Sequence, residues 1–186
     1  MFAFLDFEAS SLAKLSYPIE VAWVFEDGTS EAHLIRPAPQ WTDWDVEAEA
    51  VHHISRDMLE STGTSHEVVA RRMVDQLSGH DLFASAPSWD GKWLSALLRA
   101  AKLPRHALRL RDSEEARAEG ARRVLASVVP VERLHIAIAD VLTLAEVRRM
   151  VSPPAHRALA DAEDEHRHWL EVVAAAKAVV QKANGT

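Results

Sequence analysis

The chain contains no cysteine, which excludes disulfide bonds and thiolate metal ligands and is typical of proteins in a reducing compartment. It also contains no apolar run of about 18 residues, the length that a membrane-spanning helix requires. The apolar N-terminus lacks a basic flank and meets a carboxylate at Asp6, so we expect no signal peptide. These absences predict a cytoplasmic protein that does not bind membranes.

Basic residues are also few, because 21 lysines and arginines stand against 28 aspartates and glutamates, for a formal net charge of −7. Proteins that coat duplex DNA are usually basic, so this balance argues against a long footprint on a duplex. A site for a short strand end stays open, since cations bound by acidic residues would offset their charge. The length of 186 residues fits a single domain, 1–186, with its own core.

Apolar alternation predicts three consecutive strands at the N-terminus, at residues 2–8, 19–26 and 29–36, with Asp27-Gly28 as a hairpin turn. Residues 37–64 follow as an irregular segment. The remaining predicted elements are strands at 82–86 and 107–111 and helices at 65–78, 91–101, 114–127, 131–150 and 155–183. This order predicts an α/β fold with a mixed sheet.

Asp6 and Glu8 stand two residues apart in the first predicted strand. Side chains at i and i+2 share one face of a strand, so both carboxylates point the same way and Phe7 points to the opposite face. Their mutual repulsion is relieved either by solvation at the end of the strand or by a divalent cation. Because the donors are all oxygen atoms, Mg²⁺ or Mn²⁺ suits the pair better than zinc.

Asp90, His156 and Asp161 complete the candidate set. Asp90 precedes a predicted helix, where it serves either as a helix cap or as a further ligand. His156 and Asp161 converge if the histidine lies in the loop before the last helix and the acid in its second turn. In the alternative, they are a capping residue and a surface acid. His52-His53 and His166-x-His168 lack the spacing of a helical zinc pair, and we expect His166 and His168 to be exposed.

Three segments of the chain resemble, in order, the three motifs of the DEDDh 3′–5′ exonucleases, the DnaQ-like group that includes ribonuclease T. These segments are Phe4-Leu5-Asp6-Phe7-Glu8-Ala9-Ser10, then Asp90, then His156-x4-Asp161. The resemblance extends from residue 2 to about 175. Val51-His52-His53-Ile54-Ser55 resembles a further family segment, with His53 where the family often has glycine, and Glu20 stands where the family commonly has an acid on its second strand. The resemblance implies an RNase H-like α/β fold, with a five-stranded mixed sheet flanked by helices.

The resemblance also implies the chemistry and the roles of the candidate residues. Two divalent cations, Mg²⁺ or Mn²⁺, would be bound by Asp6, Glu8, Asp90 and Asp161, with His156 as the general base. The terminal nucleotide would contact Phe7, Ala9, Ser10, Leu12 and His52. The implied reaction is hydrolysis of the terminal phosphodiester at the 3′ end of single-stranded DNA or RNA, which releases nucleoside 5′-monophosphates.

Two other functions stay open at this point. One is a catalytically idle nucleic-acid-binding or polymerase-associated module on the same fold, which would have no need of clustered acids. The other is a phosphatase with Asp6 as nucleophile, although the chain lacks a second aspartate at Asp-x-Asp spacing and a phosphate loop.

Several further features have two interpretations each. Trp41, Trp44 and Trp89 either stack on bases or pack the long loop onto the sheet. The basic residues between 99 and 111 either contact phosphates or form a solvated surface. The apolar run at 172–176 suits the core of the chain or the interface of a homodimer equally well. Trp23 and Trp93 are expected in the core.

Overall fold

The computed structural model describes residues 1–148 and 155–184. Its strands are β1 (Phe2–Ala9), β2 (Pro18–Phe25), β3 (Ser30–Arg36), β4 (Thr64–Ser65), β5 (Asp81–Ala84) and β6 (Leu110–Asp112). Its helices are α1 (Val46–His52), α2 (Arg56–Thr62), α3 (His66–Leu77), α4 (Pro87–Ala100), α5 (Ser113–Leu125), α6 (Val131–Arg148) and α7 (Ala158–Asn184).

Within the described residues, the strands form one mixed sheet in the order β4-β3-β2-β1-β5-β6. The hairpins β1–β2 and β2–β3 are antiparallel, and β5 and β6 add in parallel beside β1. The predicted count of five strands is wrong by one, because the sheet has six. The additional strand is β4, whose two residues pair with Ile35 and Arg36 of β3 and are too few to show an apolar alternation.

The N-terminal strands and their turn form as predicted. The backbone amide of Gly28 donates to the carbonyl of Phe25 (2.8 Å), and Gly28 has a φ of +88°, which glycine adopts without steric cost. Residues 37–64 were predicted to be irregular but contain α1 and α2, each of seven residues. Such helices are too short to show a period of 3.6 and depend on their N-caps, Asp45 and Ser55.

Later boundaries move by a few residues. Helix α4 begins at Pro87, a residue well suited to a first helical position, so Asp90 lies in the first turn and is not the helix cap that the sequence suggested. Strand β6 covers Leu110–Asp112, so it is shorter than the predicted strand at 107–111 and begins later in the chain. The last two residues of the predicted helix 131–150 lie outside the described residues.

The two faces of β1 pack against different helices. Its residues Ala3, Leu5 and Phe7 belong to a core cluster that they share with α3 and α4. Phe2 and Phe4, on the other face, pack against Phe83, Ala116 of α5 and Trp169 of α7. Asp6 and Glu8 continue the Phe2–Phe4 face toward the end of the strand, so the alternation of β1 aims both carboxylates at the α7 side of the sheet.

Helix α7 packs against the sheet and against the helices α5 and α6. The prediction that His166 and His168 are exposed is therefore wrong, because both are buried. The apolar run at 172–176 packs into the core through Val172, Ala175 and Ala176, so it gives no reason to infer a homodimer. Among the described residues, the helices include none that is both long and apolar enough to cross a membrane.

The tryptophans divide as the loop-packing interpretation expects. Trp23 is fully buried, as predicted. Trp41 stacks on Tyr17, with ring centroids 5.1 Å apart, and the indole nitrogen of Trp44 donates to Glu49 (2.8 Å). Both also pack against the buried cluster of Tyr17, Ile19, Ile54 and Leu59, which attaches the segment before α2 to the sheet. Trp89 is partly exposed, and the ammonium group of Lys92 lies 4.8 Å from its ring centroid.

Candidate active site

Two carboxylates of β1 and one from the C-terminal helix converge at the end of β1. One oxygen of each of Asp6, Glu8 and Asp161 lies within 4.8 Å of the others. Asp6 and Glu8 share a face of β1, and Asp161 stands in the first turn of α7, which crosses that face. The first helical turn, rather than the second, brings Asp161 to the two strand carboxylates. These three residues are called the acidic cluster below.

Asp90 adds a fourth, deeply buried carboxylate beside the cluster. Its side chain is almost fully buried, and its Oδ2 atom has no hydrogen-bond partner among the described residues. Burial raises the pKa of Asp90 to about 7, although the backbone amides of Ala86 and Phe7 act to lower it. An unpartnered buried carboxylate oxygen is unfavourable by itself, and a bound cation or water would satisfy it.

Burial and repulsion from neighbouring carboxylates also raise the pKa values of the two β1 members of the acidic cluster. The pKa of Asp6 is raised well above its ordinary range, first by burial and then by the charges of Asp90, Glu8 and Asp161. The pKa of Glu8 rises to about 7, chiefly through burial and the charge of Asp161. Four carboxylates that repel one another fit divalent cations with oxygen ligands, and the donors contain no thiolate or imidazole that would favour zinc.

These pKa values predict how the stability of the metal-free protein depends on pH. The folded state favours the protonated form of Asp90, so its contribution to stability is present at low pH and is lost as the pH rises toward 7. The rise from 3.8 to about 7 corresponds to a loss of up to about 4 kcal/mol. Replacing Asp90 by asparagine removes this penalty at high pH.

We expect Asp90→Asn to raise the free energy of unfolding of the metal-free protein by about 2 kcal/mol more at pH 8 than at pH 5. The measurement is urea unfolding in EDTA at both pH values, and pH-independent effects of the substitution cancel in the comparison. A gain that is equal at the two pH values would show that the Asp90 carboxyl has an ordinary pKa.

His156 lies in the loop that precedes α7, as predicted, and its side chain is exposed. It borders a cavity of about 440 Å³, called the His156 cavity below. Glu8 also lines this cavity, so the cavity adjoins the acidic cluster. The cavity is lined by residues from β1, the following loop, α1 and α4, among them Ala9, Leu12, Val51, His52 and Trp93. Leu12 is largely exposed at the cavity and is free to meet a ligand.

His52 presents a polar atom that its surroundings leave unused. Its Nδ1 accepts the backbone amide of Ile54 (3.1 Å), which assigns the proton to Nε2. The Nε2 atom is buried and has no hydrogen-bond partner among the described residues. Burial lowers the pKa of the imidazole, so His52 is a neutral donor beside the cavity.

Two of the predicted substrate-binding side chains lie away from the cavity. Phe7 is buried in the core cluster on the opposite face of β1. Ser10 is fully buried, and its hydroxyl donates to Asp43 (2.9 Å) and accepts the amide of Tyr17 (3.1 Å). The alternation of β1 explains the first case, and the second reflects the tight turn after the strand. Ala9, Leu12 and His52 line the cavity.

The sequence interpretation missed the contribution of α1 to the cavity. Glu47, Ala48 and Val51 line it, but they lie in the segment that was predicted to be irregular. Trp93 was expected in the core, and it packs there while one edge borders the cavity. The basic stretch runs from Arg99, in the last turn of α4, to Arg111 of β6, and Arg111 forms ion pairs with Glu115 and Asp81.

No protein-family model and no curated protein matches the sequence. Solved structures of exonuclease I are similar in fold. The zinc-bound complex of E. coli exonuclease I with single-stranded DNA aligns over 97% of this chain with a TM-score of 0.60 and 16% identity. Exonuclease I of Methylocaldum szegediense aligns over 92% of this chain with a TM-score of 0.60 and 16% identity. The predicted mixed α/β fold is confirmed, apart from the strand count, and it is similar to the fold of exonuclease I.

The likeness covers only part of those enzymes. This chain spans 40% of the length of the E. coli and M. szegediense proteins. A further E. coli structure, in complex with a dA16 oligonucleotide, aligns with a TM-score of 0.63 over 92% of this chain and 40% of that chain. At this level of identity the comparison establishes the fold alone.

Proposed function

We propose that this chain is a metal-dependent 3′–5′ exonuclease that removes nucleoside 5′-monophosphates from the end of single-stranded nucleic acid. The observation that carries the proposal is the convergence of Asp6, Glu8 and Asp161 within 4.8 Å beside the His156 cavity. Asp90 supports it, because its buried, unpartnered oxygen stands next to the same cluster. A fold without chemistry would gain nothing from neighbouring carboxylates that raise the pKa values of Asp6 and Glu8.

The acidic cluster and Asp90 are the residues that would hold two divalent cations, Mg²⁺ or Mn²⁺. When bound, such cations supply the positive charge that stabilises the negative charge developing on the phosphate oxygens. In the metal-free protein the carboxylates of Asp6 and Glu8 favour protonation, so cation binding releases protons and becomes tighter as the pH rises.

The reaction begins with attack of a water oxygen on the phosphorus of the terminal phosphodiester. His156, exposed at the cavity, accepts a proton from that water and later returns it to solvent. The bond between phosphorus and the 3′-oxygen of the penultimate nucleotide then breaks, and this oxygen takes up a proton. The products are a nucleoside 5′-monophosphate and a strand that is one nucleotide shorter with a free 3′-hydroxyl.

The His156 cavity is the place for the terminal nucleotide. In this arrangement Leu12 packs against the base of the terminal nucleotide, and the backbone at Ala9 borders the nucleotide. The Nε2–H group of His52 donates to a polar atom of the same nucleotide. Single-stranded DNA is the substrate to test first, since the similar exonuclease I structures include complexes with single-stranded DNA. The cytoplasmic location and a single exonuclease domain over 1–186 stay predictions from the sequence.

The His52 assignment predicts a loss of affinity for the strand. We expect His52→Ala to raise the KM for a single-stranded oligonucleotide by about 3- to 10-fold, because one hydrogen bond to the nucleotide is lost. The matched control is His53→Asn, next in the chain and exposed, since asparagine tolerates the φ of 58° found there. An unchanged KM in His52→Ala, with a normal melting temperature, would remove His52 from the nucleotide site.

The proposal as a whole is tested by digestion of single-stranded DNA and RNA oligonucleotides of one sequence, labelled at the 5′ end. We expect a ladder that shortens from the 3′ end in Mg²⁺ or Mn²⁺ and no degradation in EDTA. The same reactions identify the preferred sugar. Tight binding of the oligonucleotides without any degradation would replace the proposal with the idle binding module.

A further inference from the structure

Glu20 is a buried acid on β2 that lies directly opposite Glu8 in the β1–β2 register. Its two oxygens accept three N–H groups from the start of α7. Arg157 donates through Nη2 to Oε1 (2.7 Å) and through Nε to Oε2 (3.1 Å), and the backbone amide of Ala158 also donates to Oε2 (3.0 Å). Glu20 therefore binds the guanidinium group in two places and caps the first residue of α7.

The other side of the same segment is held by the acidic cluster. Asp161 accepts the backbone amide of Ala155 through Oδ1 (3.1 Å) and donates its own amide to the carbonyl of Arg157 (3.1 Å). His156 lies between these two attached residues. Its φ of 51° is in the left-handed region, which a residue with a side chain adopts only when its surroundings enforce it.

We propose that Glu20 is a positioning residue that holds His156 at the cavity through its contacts with Arg157 and Ala158. The role depends on the proposed function only in taking His156 as the proton acceptor. Glu20 itself is not assigned to a cation, because three donors already occupy its oxygens. A side chain that fixes a loop in an unfavourable conformation reduces the motion that catalysis would otherwise have to overcome.

The helix does not need Glu20 in order to stay on the sheet. Helix α7 is held by buried residues further along, including Ala162, His166 and Trp169, which pack against the sheet and α5. Loss of the Glu20 contacts is therefore expected to loosen the segment 155–157 and to leave the acidic cluster in place. This separation distinguishes positioning of His156 from a general effect on folding.

The test is Glu20→Gln, which keeps the size of the side chain and an acceptor for Ala158 but cannot accept the guanidinium group at two oxygens. The matched control is Glu31→Gln. Glu31 of β3 accepts Arg72 of α3 through Nε (2.8 Å) and Nη2 (3.0 Å), a contact of the same geometry that the cavity does not include. We expect only Glu20→Gln to lower the ¹⁵N heteronuclear NOE of residues 155–157, with residues beyond 162 unchanged.

Activity provides the second readout. We expect Glu20→Gln to lower kcat by about 10- to 100-fold with little change in KM or in Mn²⁺ affinity, and Glu31→Gln to leave all three unchanged. Because Glu20 acts through His156, its substitution should change kcat by less than about twofold when His156 is already alanine. Arg157→Lys, which keeps the charge and loses the two-point contact with Glu20, should lower kcat as Glu20→Gln does.

Two results would overturn the inference. One is an unchanged NOE at His156 in Glu20→Gln, and the other is an equal loss of kcat from Glu20→Gln in the wild-type and His156→Ala backgrounds. If the wild-type protein degrades no strand, the proposed function fails. The NOE measurement, which needs neither metal nor substrate, still decides whether Glu20 fixes the segment.

Discussion

Replacing Asp6 with asparagine is expected to lower nuclease turnover by at least about 10³-fold. Asp6 stands within 4.8 Å of Glu8 and Asp161, and its pKa also responds to the charge of Asp90, so it is the carboxylate that connects the whole site. A neutral amide removes the charge that a cation needs at this point. The measurement is single-turnover degradation of a labelled oligonucleotide in Mg²⁺.

The loss in Asp6→Asn should come without loss of the fold. Asp6 is a partly buried acid whose ionisation is unfavourable in the metal-free protein, so its removal is expected to preserve or raise the melting temperature in EDTA. The matched control is Asp81→Asn, an exposed acid on β5 of the same sheet, for which we expect normal turnover. Normal turnover in Asp6→Asn would end the assignment of the acidic cluster as the catalytic site.

Replacing His156 with alanine is expected to lower kcat by about 10²- to 10⁴-fold, the usual contribution of a general base. His156 lies at the cavity and does not belong to the acidic cluster, so its loss leaves the proposed cation ligands intact. We therefore expect the affinity for Mn²⁺, measured by calorimetry, to change by less than about twofold.

The control for His156 is His135→Ala, an exposed histidine on α6, which should have normal kcat and Mn²⁺ affinity. The contrast between kcat and metal affinity is what identifies a base. If His156→Ala weakened Mn²⁺ binding as much as it lowered kcat, the histidine would be a ligand or a structural residue and the proton would need another acceptor.

The part of the site that follows from β1 could be predicted from the sequence. The period of two in a strand places Asp6 and Glu8 on one face, and the structure aims both toward α7. The same rule sends Phe7 to the opposite core, so its assignment to substrate conflicted with its own strand position. That assignment came from the motif resemblance alone.

Features set by tertiary packing could not be predicted in this way. The polar pattern of α7 suggested exposed histidines at 166 and 168, but the helix packs against the sheet and two other helices, and these contacts bury both histidines. The start of α4 at Pro87, which sets Asp90 in the first turn, depends on where the chain leaves β5. Helix α1 is too short for periodicity to indicate it, and with it the wall of the cavity was missed.

The central claim is that cations held by the acidic cluster and Asp90 drive removal of nucleotides from a 3′ end. The most direct test measures Mn²⁺ occupancy and degradation of a 5′-labelled single strand in the same samples, as Mn²⁺ is titrated into metal-free wild-type protein and Asp6→Asn. We predict that degradation from the 3′ end rises with occupancy in the wild type, while Asp6→Asn binds Mn²⁺ weakly and stays inactive. Degradation in metal-free protein, or equal degradation by the variant, would contradict the account.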